Sequence, residues 1–175
     1  MALYRFSGME PVIGAGSYVS ELAAVIGDVH IAENCYIGHG AILRGDYGKI
    51  VIGAGTAVEE GVVIHAPPKG LCRIGNMVTF GHGAIVHSDE IEDYAVVGMG
   101  AILSLRSKVG GWAIVAEGSV VKARQSIPEK VVVAGSPAAY VRALEDRDIE
   151  FWTWGKQIYI DLAGQYLQEG MERIG

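Results

Sequence analysis

Aliphatic residues recur every six positions through most of this 175-residue chain. They stand at Ile13, Val19, Val25, Ile31, Ile37 and Leu43, resume after a short insertion at Ile52, Val58 and Ile64, and return at Ile74, Phe80 and Val86. A last run goes from Ile91 through Val97, Leu103, Val109, Val115, Val121 and Ile127 to Val133. A period of six does not suit an α-helix, whose faces repeat near ~3.6 residues. Short strands with a turn every six residues bury their aliphatics only by stacking coil on coil, so the period predicts a β-solenoid. Four positions after most aliphatics comes a small or modest residue, as at Ser17, Cys35, Ala41, Thr56, Ala84 and Ala101, which suits a tight inward corner. One position after often comes glycine, as at Gly14, Gly38, Gly53, Gly81 and Gly98. The 25 glycines, about twice the usual ~7%, thus read as repeated turns rather than disorder.

The pattern resembles the hexapeptide-repeat family, whose left-handed parallel β-helix has a triangular section with three hexapeptides per coil. The resemblance implies an all-β left-handed parallel β-helix over residues 1–142. A C-terminal helical segment over 143–175 would belong to the same structural unit. The repeat stops at Ala134-Gly135-Ser136-Pro137, which is similar to the exit motif of many hexapeptide proteins. Beyond it, Ile149, Trp152, Ile158, Leu162, Ala163, Tyr166 and Leu167 recur at three- and four-residue spacing. That spacing predicts an amphipathic helix from about Asp146 to Glu172, lying along the prism, with Gly155 the place for a break. Trp152, Trp154, Tyr159 and Tyr166 read as residues that pack this helix.

Charge and composition exclude several classes. A formal net charge of -6 without any Lys/Arg cluster argues against a nucleic-acid partner. No run reaches the ~18 apolar residues of a membrane span, and the N-terminus lacks a signal-peptide pattern, so a cytoplasmic protein with no membrane partner is expected. Cys35 and Cys72 form no spaced pair, which predicts reduced thiols and neither a disulfide framework nor a zinc finger.

Labelling successive hexapeptides as faces a, b and c, with Ile13 on a, places Leu43, Ile64, Val86 and Leu103 together on face c. The residues that follow, Arg44, His65, His87 and Ser104, then form an outward column with about ~4.8 Å between coils. The insertion at 66–73 and the single residue dropped between Val86 and Ile91 restore this register. His82 follows Phe80 on face b and points away from the pair His65 and His87. A second subunit would have to supply it, and a threefold assembly gives three equivalent sites. Three imidazoles with one open position are the usual arrangement of a catalytic zinc, which ionises its water near pH ~7. His30 and His39 do not join the column and read as surface residues.

Arg44-Gly45-Asp46, Gly48-Lys49-Ile50-Val51-Ile52-Gly53, Val62-Val63-Ile64-His65, Gly81-His82-Gly83-Ala84-Ile85-Val86-His87, Val97-Gly98-Met99-Gly100-Ala101 and the exit motif together resemble the γ-class carbonic anhydrase family. More closely, they resemble its short branch of phenylacetate and carnitine metabolism. The resemblance implies a homotrimer in which His65 and His87 of one subunit and His82 of the next hold zinc, or in some members iron(II) or cobalt. It implies reversible hydration of carbon dioxide to bicarbonate by metal-bound hydroxide at the trimer interfaces. Arg44 and Asp46 take an interface salt bridge from the same resemblance, and Arg44 is also placed to attract bicarbonate. Glu59 and Glu60 stand where active members typically carry glutamine and aspartate, and Ala57 where the founding type has asparagine. Glu59 would orient the metal water or take its proton, since a carboxylate accepts hydrogen bonds but donates none. Tyr159 is expected to reach the pocket from the C-terminal helix. Tyr47 and Pro67-Pro68 replace the acidic proton-shuttle loop. Two alternatives stand beside the lyase: a CoA-dependent acyltransferase or thioesterase, and a non-catalytic metal-binding trimer.

Overall fold

The six-residue period sets the coil. In the computed structural model, which describes residues 2–175, each inward aliphatic lies on a short strand hydrogen-bonded to its counterpart one coil away. Leu43 pairs with Ile64, Ile64 with Val86 and Val86 with Leu103. These side chains are buried, as are the small corner residues Cys35, Ala41, Thr56, Ala84 and Ala101. The result is a left-handed parallel β-helix. Seven strands of face b, from Tyr18–Val19 to Val131–Ala134, stack in parallel, and Ala139–Ala143 closes that sheet antiparallel. Faces a and c read as one twelve-stranded sheet because Ala24–Ile31 and Ile42–Ile52 run round the corner between them.

The insertions stay outside this stack. The turn over 66–70 folds against Gly48, where an added Cβ would lie 2.4 Å from the carbonyl oxygen of Pro67 and 2.5 Å from that of Gly70. Only glycine admits so close an approach. Cys35 and Cys72 are free and wholly buried, and burial, with Asp89 adding, pushes the Cys72 thiol up to about 12.

The chain then forms a helix, α1 (Asp146–Glu169), that starts in a capping box between Glu145 and Asp148. It ends at Gly170, which has φ 72°. No helix is long and apolar enough to cross a membrane among the described residues. Helix α1 runs unbroken through Gly155, where the sequence allowed a break. An isolated glycine costs a helix only about 1 kcal/mol, and docking on face b outweighs that. Its inward stripe is Ile149, Trp152, Lys156, Tyr159, Ala163 and Tyr166. Ile158, Leu167 and Trp154, expected to pack, are instead exposed. Lys156 occupies the centre of the stripe and is only 1% exposed. Its ammonium donates to Thr79 Oγ1 at 3.1 Å and to the Ala95 carbonyl at 3.3 Å, with the Trp152 ring 5.8 Å away.

Burial without a carboxylate partner lowers the Lys156 pKa to about 7. The unfolded chain, with an ordinary lysine near ~10.4, binds more protons between these values, so folding stability rises with pH across that window. Replacing Lys156→Met removes the cost of burying charge. Thermal melts should show the variant more stable than the parent by on the order of 5 °C at acidic pH, with the gap closing toward pH ~10. A constant gap would exclude the amine as its source.

Candidate metal centre

Parallel register on face c brings His65 and His87 together across 22 positions of sequence. Ile64 pairs with Val86, so the imidazoles that follow them are stacked, with ring centroids 4.9 Å apart and an interplanar angle of 26°. Arg44 lies one coil below, opposite His65. Its Nη2 donates to His65 Nδ1 at 3.2 Å and its Nη1 to Asp46 Oδ2 at 3.0 Å. Arginine has no acceptor, so His65 Nδ1 accepts and Nε2 carries the proton that it donates to Asp46 Oδ1 at 3.1 Å. A metal at Nε2 would take the place of that proton. Burial works against ionisation of Asp46, but Arg44 and His65 outweigh it and hold its carboxyl below the ordinary range. Tyr47 leans over the group, its ring centroid 5.5 Å from that of His65 and 5.8 Å from the Arg44 guanidinium carbon.

His87 Nε2 is a buried nitrogen with no hydrogen-bond partner. Burial, with the neighbouring His65 ring, pushes the His87 pKa down, which keeps its lone pair free. Native proteins rarely bury a polar atom unsatisfied. An orphaned imidazole nitrogen beside a second imidazole therefore fits a divalent metal with a preference for nitrogen donors.

His82 stands on the edge between faces b and c, half exposed, among a different set of partners. Its Nδ1 lies 2.8 Å from Glu60 Oε2, and its Nε2 lies 3.2 Å from Glu59 Oε2, which also accepts the His82 backbone N–H at 3.1 Å. Glu59 is buried, and that burial lifts its carboxyl above the ordinary range against the pull of Tyr159 and His82. The Tyr159 phenol faces Glu59 from helix α1, and burial and Glu59 together raise its own pKa. Burial opposes ionisation of Glu60 too, yet a 2.7 Å hydrogen bond from Tyr36, and then His82, hold it below the ordinary range. Space for Glu60 exists because the residue below is Gly38, whose missing Cβ would lie 2.7 Å from Oε1.

One chain thus carries two separate histidine groups, His65 with His87 and His82 with its carboxylates. No group of three His, Cys, Asp or Glu residues positioned to hold a metal occurs among the described residues. Reading the sequence missed the parts played by Glu60, Tyr36 and His39. His39 is half-buried and bonded on both ring nitrogens, not a free surface residue. His30 does stand near the surface, 3.2 Å from Asp28 Oδ1. A count of positions from each face-b aliphatic would have found the edge column, since His39, Glu60 and His82 each come two residues after one.

No protein-family model matches the chain. Gamma carbonic anhydrase 2, mitochondrial, of Arabidopsis thaliana is 36% identical over 165 residues, which cover 91% of this chain and 59% of that protein. The chain therefore spans less than two thirds of the length of this plant relative. Carnitine operon protein CaiE of Proteus sp. (strain LE138) is 36% identical over 162 residues, covering 93% of this chain and 82% of that one. The CaiE protein of Escherichia coli (strain K12) is 34% identical over 165 residues, with 94% and 84% covered. Among solved structures, a hexapeptide transferase family protein from Anaplasma phagocytophilum superimposes with a TM-score of 0.89 at 31% identity, covering 94% of this chain and 98% of that chain.

Metal should stabilise the folded protein in proportion to its binding. At a hundredfold excess over the dissociation constant the gain is about 2.7 kcal/mol. Adding zinc or cobalt to metal-free protein should raise the melting temperature by several degrees, and His87→Ala should abolish the rise. An equal rise in the variant would mean that the metal binds elsewhere.

Proposed function

Because the chain belongs to the γ-carbonic anhydrase family of hexapeptide-repeat proteins, we propose that it is a metal-dependent homotrimer that reversibly hydrates carbon dioxide to bicarbonate. The observation that carries this reading is the orphaned His87 Nε2 beside the stacked His65 ring. In the assembly, His65 and His87 of one subunit and His82 of its neighbour hold zinc, with iron(II) or cobalt as other occupants. When bound, the metal supplies a Lewis acid that lets water ionise near neutral pH. The Glu60 contact to His82 Nδ1 leaves Nε2 as the ligating nitrogen, oriented as metal-bound histidines usually are by a carboxylate on the other ring atom. Glu59, beside that nitrogen and steadied by Tyr159, orients the attacking water or takes its proton. Arg44, fixed by Asp46, offers its guanidinium to the bicarbonate anion.

An exposed apolar ladder supports the trimer. Ile42, Val63, Ile85 and Ile102 are in direct register on the outside of face c, next to the histidines. Ile42, Ile85 and Ile102 are 40%, 47% and 37% exposed in the single chain. A row of aliphatics this long is the kind of surface that a second subunit covers.

Acyl transfer from CoA is the competing reading, favoured by the transferase name of the Anaplasma structural neighbour. Acyl-CoA turnover without carbon dioxide hydration would establish it. For the lyase, purified protein should contain about one metal per chain and hydrate carbon dioxide in stopped flow. The ligand set should divide between subunits. His82→Ala and His87→Ala should each lose the activity, and trimers reassembled from an equal mixture should recover about a quarter of the parental sites. No recovery on mixing would overturn the shared site. Glu59→Gln separates the two roles of Glu59, because a loss in rate means that the carboxylate takes the proton, and a rate kept or raised means that it only orients the water.

A further inference from the structure

The edge that presents His82 carries an alternating column of acids and bases. Val19, Ile37, Val58 and Phe80 are in direct register along face b. The residues two positions later are Glu21, His39, Glu60 and His82. Backbone bonds pin this column from coil to coil. Gly61 N–H donates to the His39 carbonyl at 3.0 Å, and Gly83 N–H donates to the Glu60 carbonyl at 2.9 Å. His39 therefore stands one coil from Glu60 and two from His82, at about ~4.8 Å per coil.

The His39 ring is held for a purpose that the metal set does not use. Ser20 Oγ lies 2.5 Å from Nδ1, and Ser20 is itself wholly buried and accepts the Leu22 backbone N–H at 3.1 Å. The Tyr166 hydroxyl of helix α1 lies 3.3 Å from Nε2, and the rings of Tyr18 and Tyr166 meet the imidazole edge-on at 77°. Both hydroxyls have lone pairs, so they can accept from the two N–H groups of an imidazolium as well as serve a neutral ring. Above it lies Glu60, and below it lies the exposed Glu21. On the other flank of the site, the inserted turn over 66–73 contains no acid and no histidine.

We propose that His39 is the proton-exit residue of this site, a role that rests on the hydration reading above. Carbon dioxide and water give bicarbonate and one proton. The neutral His39 imidazole takes up that proton at the edge, where the Ser20 and Tyr166 hydroxyls can serve either form of the ring. Buffer then removes the proton from the half-buried ring and restores the neutral form. His39 touches neither the metal ligands' orphaned nitrogen nor the substrate path beside Arg44, so its removal should spare the attack on carbon dioxide.

The test compares wild type, His39→Ala and His39→Asn as zinc-loaded trimers in stopped flow. In dilute buffer, kcat should fall at least about tenfold in both variants while kcat/KM stays unchanged. Added imidazole should restore kcat in His39→Ala. A second readout does not depend on turnover. Zinc should raise the melting temperature of full-length His39→Ala as much as that of wild type, because His39 is not a ligand. Equal falls in kcat and kcat/KM without imidazole rescue would overturn the proposal, as would loss of the zinc-induced rise in melting temperature in His39→Ala, which would make the role of His39 structural. Wild-type protein that binds zinc but does not hydrate carbon dioxide would overturn the hydration reading and this role with it, and the wild-type rate tells that failure from loss of the His39 role alone.

Discussion

Everything in this molecule depends on hydrogen bonding between successive coils. A strand of two residues has no stability by itself. It exists because its N–H and C=O groups find partners one coil above and below, while its aliphatic drops into a shared apolar interior. This ladder fixes which outward residues are neighbours, whatever their separation in sequence. The stacked imidazoles on face c, the acid–base column on the neighbouring edge and the apolar ladder between them are consequences of one register. A slip of one residue would turn each of these side chains into the core.

That dependence explains what could be read from the sequence and what could not. The period of six and its indels place Leu43, Ile64, Val86 and Leu103 on one face, so the neighbourhood of Arg44, His65 and His87 was legible before any coordinates. The helix stripe was read with errors, because helical patterning assumes that a lysine faces water. Lys156 breaks the assumption by finding Thr79 Oγ1 and the Ala95 carbonyl under the helix. The edge column was missed for a different reason. Corner residues show no hydrophobic alternation, and their roles follow from groups on adjacent coils and on helix α1. His39 looks like a surface residue until Ser20 and Tyr166 are seen on its two nitrogens.

Electrostatics sort the two histidine groups. On face c, a cation and a low-pKa carboxylate bracket His65, and His87 stays neutral. On the edge, two carboxylates bracket His82, one pushed up by burial and one held down by a tyrosine. In the proposed trimer, the anionic edge of one subunit would meet the guanidinium-bearing face of the next.

A solenoid is nearly a one-dimensional object, in which each repeat feels only its neighbours and an end can fray without disturbing the middle. The C-terminal helix changes that. Its 24 residues span about ~36 Å, close to the ~34 Å height of seven coils. It runs back along face b, touching Thr79 and Ala95 through Lys156 and Tyr18 near the first coil through Tyr166. It acts as a strut across units that otherwise have no direct contact. Loosening the first coil then strains the helix, and the helix passes that strain to the coils beneath Tyr159 and Glu59, so that the molecule melts as one body and not from its tip.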